Sequence, residues 1–390
     1  MKTEKRIPLS GVYFKGKEKE YLNKIMDSEM ISMGFYTEKF EEFLKKKVGR
    51  KYCVMVSSGT SALFLLLKAS GIKENDEIIT SPFSFIASAN SILYCNAYPS
   101  FVDIQPDTLC LSENLLKEKL KKDYIYRDKR FINKKTKRVL KGILTVDILG
   151  NLCNYEKIEN LCKEYDLLLF EDSSEALGSK IDGKKAGSFG LGSVFAFYPN
   201  KQITTGEGGA VLTDDRKLFL MIKSLRNQGR TETDKYFIHR YLGYNFRVTD
   251  LVSAIGLAQM ENLDLILKKR KEVAQRYFKL LENVKEIRLP SLFNNIENSW
   301  FLFYIFINKK VRDRFILYLN ERNISSRRYF YPIHLQPFYK KMFSYKKGDF
   351  PITEKISEEL VAIPFYTGMN FKEQEYVSEN IKEFFSTNIL

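Results

Sequence analysis

Two histidines, one tryptophan and five cysteines are a thin supply of metal-binding and redox side chains for a chain of 390 residues. His239 and His334 are the histidines. They build no HExxH, and no Cys/His cluster can be assembled around them, which argues against a zinc enzyme. No GxSxG occurs, so the nucleophile elbow of a Ser-His-Asp hydrolase is missing. The cysteines, Cys53, Cys95, Cys110, Cys153 and Cys162, are odd in number and form no CxxC. With no signal-peptide pattern at Met1–Arg6 they read as reduced thiols of a cytoplasmic protein. Long apolar runs are lacking too. Stretches such as Ala62–Leu67 fall far short of the ~20 residues that span a bilayer, so no membrane partner is expected. The segment Gly178–Lys185 imitates a P-loop, but Lys185 stands where a Ser or Thr must hold magnesium, and a hairpin turn is the better reading.

What is present is a 44% hydrophobic composition, enough for a large core, and a net charge of +15. The charge is concentrated. Lys117–Lys141 holds twelve Lys/Arg and three Asp/Glu. Nucleic-acid binding is one reading of such a patch. No nucleic-acid module accompanies it, so it reads instead as a solvated, lysine-rich surface segment dispensable for chemistry.

From about Lys51 to Asp214, apolar β-rich runs alternate with helical patterns. Strands are predicted at 51–56, 77–80, 139–146, 167–171, 193–198 and 209–213, and helices at 60–70, 85–94 and 155–165. This βαβ alternation implies an α/β fold with a mostly parallel sheet covered on both faces. Helices follow at 216–226, 250–260 and 263–281. From Trp300 the pattern changes to strand, helix, strand, helix, the signature of a smaller α+β unit. The expected division is a large domain over 1–262 and a small one over 263–390.

In an open parallel sheet, ligands bind beyond the carboxyl ends of the strands. Ser57–Ser61, Pro82–Phe85, Asp147 and Asp172 all fall there. Ser57–Ser61 also opens a helix, where free N–H groups suit a phosphate and Gly59 lets the backbone approach closely. Lys201 lies in Phe195–Gly209, about 25 residues after Glu171–Gly178. A lysine amine can form a Schiff base with pyridoxal phosphate (PLP), and an aspartate at the pyridinium nitrogen keeps the ring an electron sink.

Together with Phe40–Phe43, Val56–Leu63, Asp76–Phe85, Val102–Asp107, Gly243–Arg247 and Tyr331–His334, these motifs resemble the DegT/DnrJ/EryC1/StrS family of sugar aminotransferases. The likeness runs from about Ile7 to Phe385. It implies fold type I and a PLP cofactor. Carried over, it makes Lys201 the Schiff-base lysine and proton carrier, and Asp172 the pyridinium partner. Glu175 stands where many members have Gln facing the cofactor's phenolic oxygen, and Phe85 where an aromatic stacks on the ring. Gly59, Thr60 and Ser61 match phosphate-binding positions. Asn245 matches an Asn that reaches the phosphate from the other subunit of a homodimer. Ser32, Arg247 and His334 are implied on the substrate side. Two departures stand out: Ala196 replaces a common phosphate-binding Ser, and Met30 replaces a Trp in the turn Met30–Gly34.

The resemblance implies a nucleotide-linked keto-sugar as acceptor and L-glutamate as donor. The motifs are most similar to the perosamine synthase branch, which aminates C4 of GDP-4-keto-6-deoxymannose. A UDP- or dTDP-linked sugar aminated at C4 or C3 is the alternative. A silent regulatory or DNA-binding relative is disfavoured by the intact Lys201 and Asp172, and a PLP-dependent sugar dehydratase by the lysine, which those relatives replace with His.

Overall fold

The computed structural model describes residues 6–28, 30–128, 130–231 and 236–387. Residues 1–5, where no leader was read, and Lys129 of the basic segment lie outside these.

Two helices, α1 (Glu18–Ser28) and α2 (Phe35–Val48), precede the main sheet. α2 ends at Gly49, whose φ of 97° is the left-handed conformation that closes a helix most cheaply with glycine. There follow β1 (Tyr52–Val56), α3 (Gly59–Ala69), β2 (Asp76–Thr80), α4 (Ala87–Tyr94), β3 (Tyr98–Phe101) and α5 (Glu113–Asp123). β4 (Tyr124–Arg127) and β5 (Arg130–Asn133) form a hairpin. β6 (Val139–Val146), α6 (Tyr155–Glu164) and β7 (Leu168–Asp172) come next. A small hairpin of β8 (Lys180–Ile181) and β9 (Lys184–Lys185) is the turn expected in place of a P-loop. β10 (Gly192–Ala196), β11 (Gly209–Thr213) and α7 (Arg216–Arg226) complete this part.

The main sheet runs β1-β11-β10-β7-β6-β2-β3. β10, β7, β6, β2 and β3 are parallel, and β11 is antiparallel to both neighbours. The central strands are buried on both faces, which is why Leu168–Asp172 and Val139–Val146 read as continuous rather than alternating apolar runs.

α8 (Asp250–Glu261) and the long α9 (Leu263–Leu281) lead to a second sheet. β12 (Ile287–Arg288), β14 (Phe303–Ile307), β15 (Arg327–Arg328) and β16 (Leu360–Ile363) form it in the order β12-β14-β16-β15, while β13 (Ile296–Glu297) joins β8 instead. α10 (Lys309–Glu321), α12 (Pro351–Glu359) and α13 (Phe371–Thr387) pack with it, while α11 (Pro337–Phe343) packs on β3 and α4 through Tyr339 and Phe343. Its core, around Phe303, Phe315, Val361 and Phe384, also takes in Ile7, which bridges to Ile324. The second strand expected after Trp300 is only Arg327–Arg328, and the helix predicted from Phe85 begins at Ala87.

Candidate active site

The carboxyl ends of the parallel strands open into a cleft of about 700 Å³. Each predicted chemical group reaches it by a different element. Asp172 is the last residue of β7, held in register by pairing with Val146 of β6 and Val194 of β10. Its carboxylate is buried, and each oxygen has a donor: Ser88 Oγ at 2.7 Å from Oδ2, and the Ser174 N–H at 3.1 Å from Oδ1. Ser84 Oγ lies 2.8 Å from Ser88 Oγ and extends the chain of hydroxyls.

Lys201 sits in the loop between β10 and β11. Its N–H donates to Tyr198 O, and Thr205 N and Phe197 N tie the loop's two arms together. The amine is 12% exposed, 3.3 Å from Glu175 Oε1 and 4.2 Å from the centre of the Phe301 ring. Glu175 Oε2 accepts the Leu149 N–H at 3.0 Å. Leu149 has a φ of 57°, so the turn after β6 holds a left-handed leucine to present that donor. Burial raises the Glu175 carboxyl above its ordinary range, opposed chiefly by the Lys201 charge.

The phosphate cradle expected at α3 is built by a reciprocal cap. Ser58 Oγ accepts from Ser61 N at 3.1 Å, and Ser61 Oγ accepts from Ser58 N at 3.0 Å. Gly59 and Thr60 line the cleft, whereas the buried Ser61 hydroxyl turns back into the cap. A Cβ on Gly59 would meet the Ala196 methyl at 2.6 Å, so the end of β10 packs directly on the helix start. Ser174 Oγ lies 3.7 Å from the same point. Phe85 is 60% exposed and lines the opening.

The structure does not bring every predicted residue here. The His334 ring is fully buried and its Nε2 lies 3.0 Å from Glu354 Oε1, away from the cleft; burial holds its pKa down. Ser32 and Asn245 are exposed and do not line the cleft of this chain. Arg247 donates to Asn227 Oδ1 at 3.0 Å. Conversely, Ser84, Ser88, Ser174, Asn200, Phe301 and Arg327 were not singled out from sequence. Asn200 Oδ1 is buried with no hydrogen-bond partner and belongs to a residue lining the cleft. Ser84 lies within Asp76–Phe85 and Ser88 three residues past it, a polar run entering a helix that was a usable signal; Ser174 lies within Glu171–Gly178. Phe301 and Arg327 left none, because they arrive from the second sheet.

Behind Asp172 lies a second carboxylate pair. Ser173 Oγ is 2.8 Å from Asp147 Oδ2 and 2.6 Å from Glu171 Oε1. One hydroxyl has one proton, so it can satisfy only one of them by donation. Glu171 also accepts the Gly187 and Phe189 N–H groups. Burial, with the nearby Glu171 charge, pushes the Asp147 carboxyl far up.

These residues fit PLP. A buried carboxylate with both oxygens anchored suits a ring N–H, the amine is within reach of the same cleft, and a helix N-terminus with a side-chain-free first residue suits a phosphate.

The sequence pattern of the DegT/DnrJ/EryC1/StrS aminotransferase family matches residues 13–382. GDP-perosamine synthase of Escherichia coli O157:H7 is 35% identical over 383 residues, covering 98% of this chain and 99% of that protein. UDP-4-amino-4,6-dideoxy-N-acetyl-beta-L-altrosamine transaminase of Campylobacter jejuni is 32% identical, covering 92% of each. Among solved structures, the Helicobacter pylori aminotransferase involved in the biosynthesis of pseudoaminic acid superposes with a TM-score of 0.89 at 27% identity, over 98% of this chain and all of that one. The chain belongs to the DegT/DnrJ/EryC1/StrS aminotransferase family and is a PLP-dependent sugar aminotransferase.

Proposed function

We propose that the enzyme transfers the amino group of L-glutamate to C4 of GDP-4-keto-6-deoxymannose, working as a homodimer with shared sites. The observation that carries the reading is the convergence of Lys201, Asp172 and the α3 N-terminus on one cleft. PLP supplies an electron-withdrawing ring that accepts the electron pair left when the substrate carbon loses its proton. Asp172 holds the proton on the ring nitrogen, its orientation set by Ser88 and Ser174. Lys201 Nζ anchors the cofactor, removes the proton from the donor carbon and delivers one to the sugar carbon. In this reading Glu175 would be the partner of the cofactor's phenolic oxygen and Phe85 would lie against its ring, while the α3 start at Gly59 and Thr60 would hold the phosphate, with Ser61 supporting that turn through the cap.

Arg327 supports an anionic, diphosphate-bearing acceptor. It is exposed, lines the cleft and has no carboxylate partner among the described residues, whereas its neighbour Arg328 is paired with Asp313. The exposure of Asn245 and Ser32, outside the cleft of their own chain, is what a contribution to a second subunit's site requires. In the same reading the chain divides at 262/263, with Ile7 packed on the smaller unit. The 35% identity to GDP-perosamine synthase supports the GDP sugar. The similarity to a transaminase named for a UDP-sugar is the specific ground for the alternative, a UDP- or dTDP-linked acceptor.

The test has two arms. Glutamate is expected to bleach the yellow holoenzyme, and mass spectrometry of a panel of nucleotide keto-sugars is expected to show an amino product from the GDP substrate. An amino product from UDP or dTDP substrates alone would replace the acceptor. An unchanged spectrum would remove glutamate.

A further inference from the structure

The basic segment at Lys117–Lys141 is not a loose tail. It comprises the end of α5, the β4–β5 hairpin, a turn and the start of β6. Its base is pinned into the core: Glu77 of β2, fully buried, accepts from the Tyr124 hydroxyl and from Asn133 Nδ2. Lys134 Nζ donates to the Lys122 carbonyl at the end of α5. The outer cations are left in solvent. Lys121, Lys122, Arg127, Arg130 and Lys135 are all exposed, and the acidic residues of the stretch are three against twelve basic ones.

The hairpin has two faces. Tyr126 and Phe131 pair across it with rings 5.0 Å apart, and Phe131 leans on Tyr165. Ile125 points the other way, 51% exposed among these cations. The positive face continues beyond the hairpin. Arg138 stacks on Tyr98, and Tyr98 packs against Phe343 of α11, which carries the exposed Lys340 and Lys341. The hairpin lies at the far end of the sheet from the cleft. β5 pairs with Val139 and Leu140 at the start of β6, while Asp147 follows its end, roughly 23 Å along the strand.

We propose that this face adsorbs to a bilayer surface carrying anionic phospholipid headgroups. Charge complementarity supplies the attraction, and near such a surface each Lys or Arg strengthens partitioning roughly fivefold. Ile125 favours a bilayer: an exposed aliphatic side chain among cations inserts at the boundary between headgroups and acyl chains, and no nucleic-acid module accompanies the segment. The expectation of no membrane partner rested on the lack of a spanning segment, and adsorption needs none. The cleft faces away, so adsorption leaves the reaction open to substrate.

The test is co-sedimentation of the full-length enzyme with vesicles of phosphatidylcholine alone or mixed with phosphatidylglycerol, in 0.1 M salt. Binding is expected to the mixed vesicles only, and to weaken as salt rises. The triple variant Lys121→Glu/Lys122→Glu/Lys135→Glu should lose at least tenfold in partitioning while keeping wild-type transaminase activity, which shows it is folded. Ile125→Ser should weaken vesicle binding severalfold. Absence of binding to mixed vesicles overturns the proposal. So does equal binding by the triple variant. Tight binding to duplex DNA that is lost in the triple variant, with vesicle binding indifferent to Ile125→Ser, would assign the face to nucleic acid instead.

Discussion

Ser88 Oγ donates a 2.7 Å hydrogen bond to Asp172 Oδ2, across two elements that are 84 residues apart in the chain. α4 therefore orients the carboxylate of β7. With the Ser174 N–H on the other oxygen, the group is set for a ring N–H. Removing the charge and removing the orienting hydroxyl should therefore differ in size. Asp172→Asn is expected to lower kcat by several powers of ten, the scale on which loss of an essential charge partner acts. Ser88→Ala loses one hydrogen bond to a charged group, worth about 1.5–3 kcal/mol, and should cost roughly ten- to a hundredfold. Steady-state kinetics of both variants checks the order; equal effects would remove Ser88 from the argument.

Lys201→Ala should still bind PLP weakly and lose multiple-turnover transamination. The measurement is product per active site over time. A wild-type turnover rate would reassign the proton carrier.

Ala196 and Ser174 bear on the phosphate. Ala196 packs against Gly59 at the position where the family resemblance leads one to expect a phosphate-binding serine, and the Ser174 hydroxyl lies close to the same helix start. Ser174→Ala is expected to loosen PLP roughly ten- to a hundredfold, and Ala196→Ser to restore that loss in the double variant, each hydroxyl being worth about 1.5–3 kcal/mol toward a charged phosphate. Dissociation of PLP, followed by absorbance, decides it. A Ser174→Ala enzyme that holds PLP like wild type would exclude this serine.

Asp147 predicts a pH dependence of stability. Its carboxyl is pushed far above the ordinary range, chiefly by burial and then by Glu171. The folded state therefore holds a proton that the unfolded chain releases near pH 4. Stability from this group is complete below that pH and is lost as pH rises toward the folded-state pKa. Asp147→Asn carries no charge and can donate to Ser173. The variant should melt above wild type at neutral pH, with a gap that widens as pH rises. Thermal melts across pH 5 to 9 test the sign, and a gap that narrows with pH contradicts it.

The shared site can be tested by mixing subunits. If Asn245 serves the partner's phosphate, a dimer of one Lys201→Ala subunit and one Asn245→Ala subunit has one site with both lesions and one with neither. About half the wild-type activity should return. Heterodimers that form and stay inactive would place Asn245 in its own subunit's site.

β1, β2, β6, β7, β10 and β11 of the main sheet were legible in the chain because buried strands need apolar runs, whereas β3 and the β4–β5 hairpin, short and rich in polar or Pro residues, were not read as strands. Val139–Val146, Gly209–Thr213 and Arg216–Arg226 form over the residues the pattern predicts. That Ser57–Ser61 opens a helix followed from local chemistry, and the structure makes Ser58 its cap, through a capping box of four consecutive residues. What the sequence by itself could not decide is what meets across long separations. Ser88 on Asp172, Phe301 beneath Lys201 and Arg327 at the cleft come from segments whose own patterns mark only a helix, a core position and a short edge strand. His334 shows the converse: its local motif read as substrate-side, but packing of α12 gives it Glu354 and full burial. Local periodicity reports which face of an element is apolar. Only the packing of one element on another sets which polar groups converge.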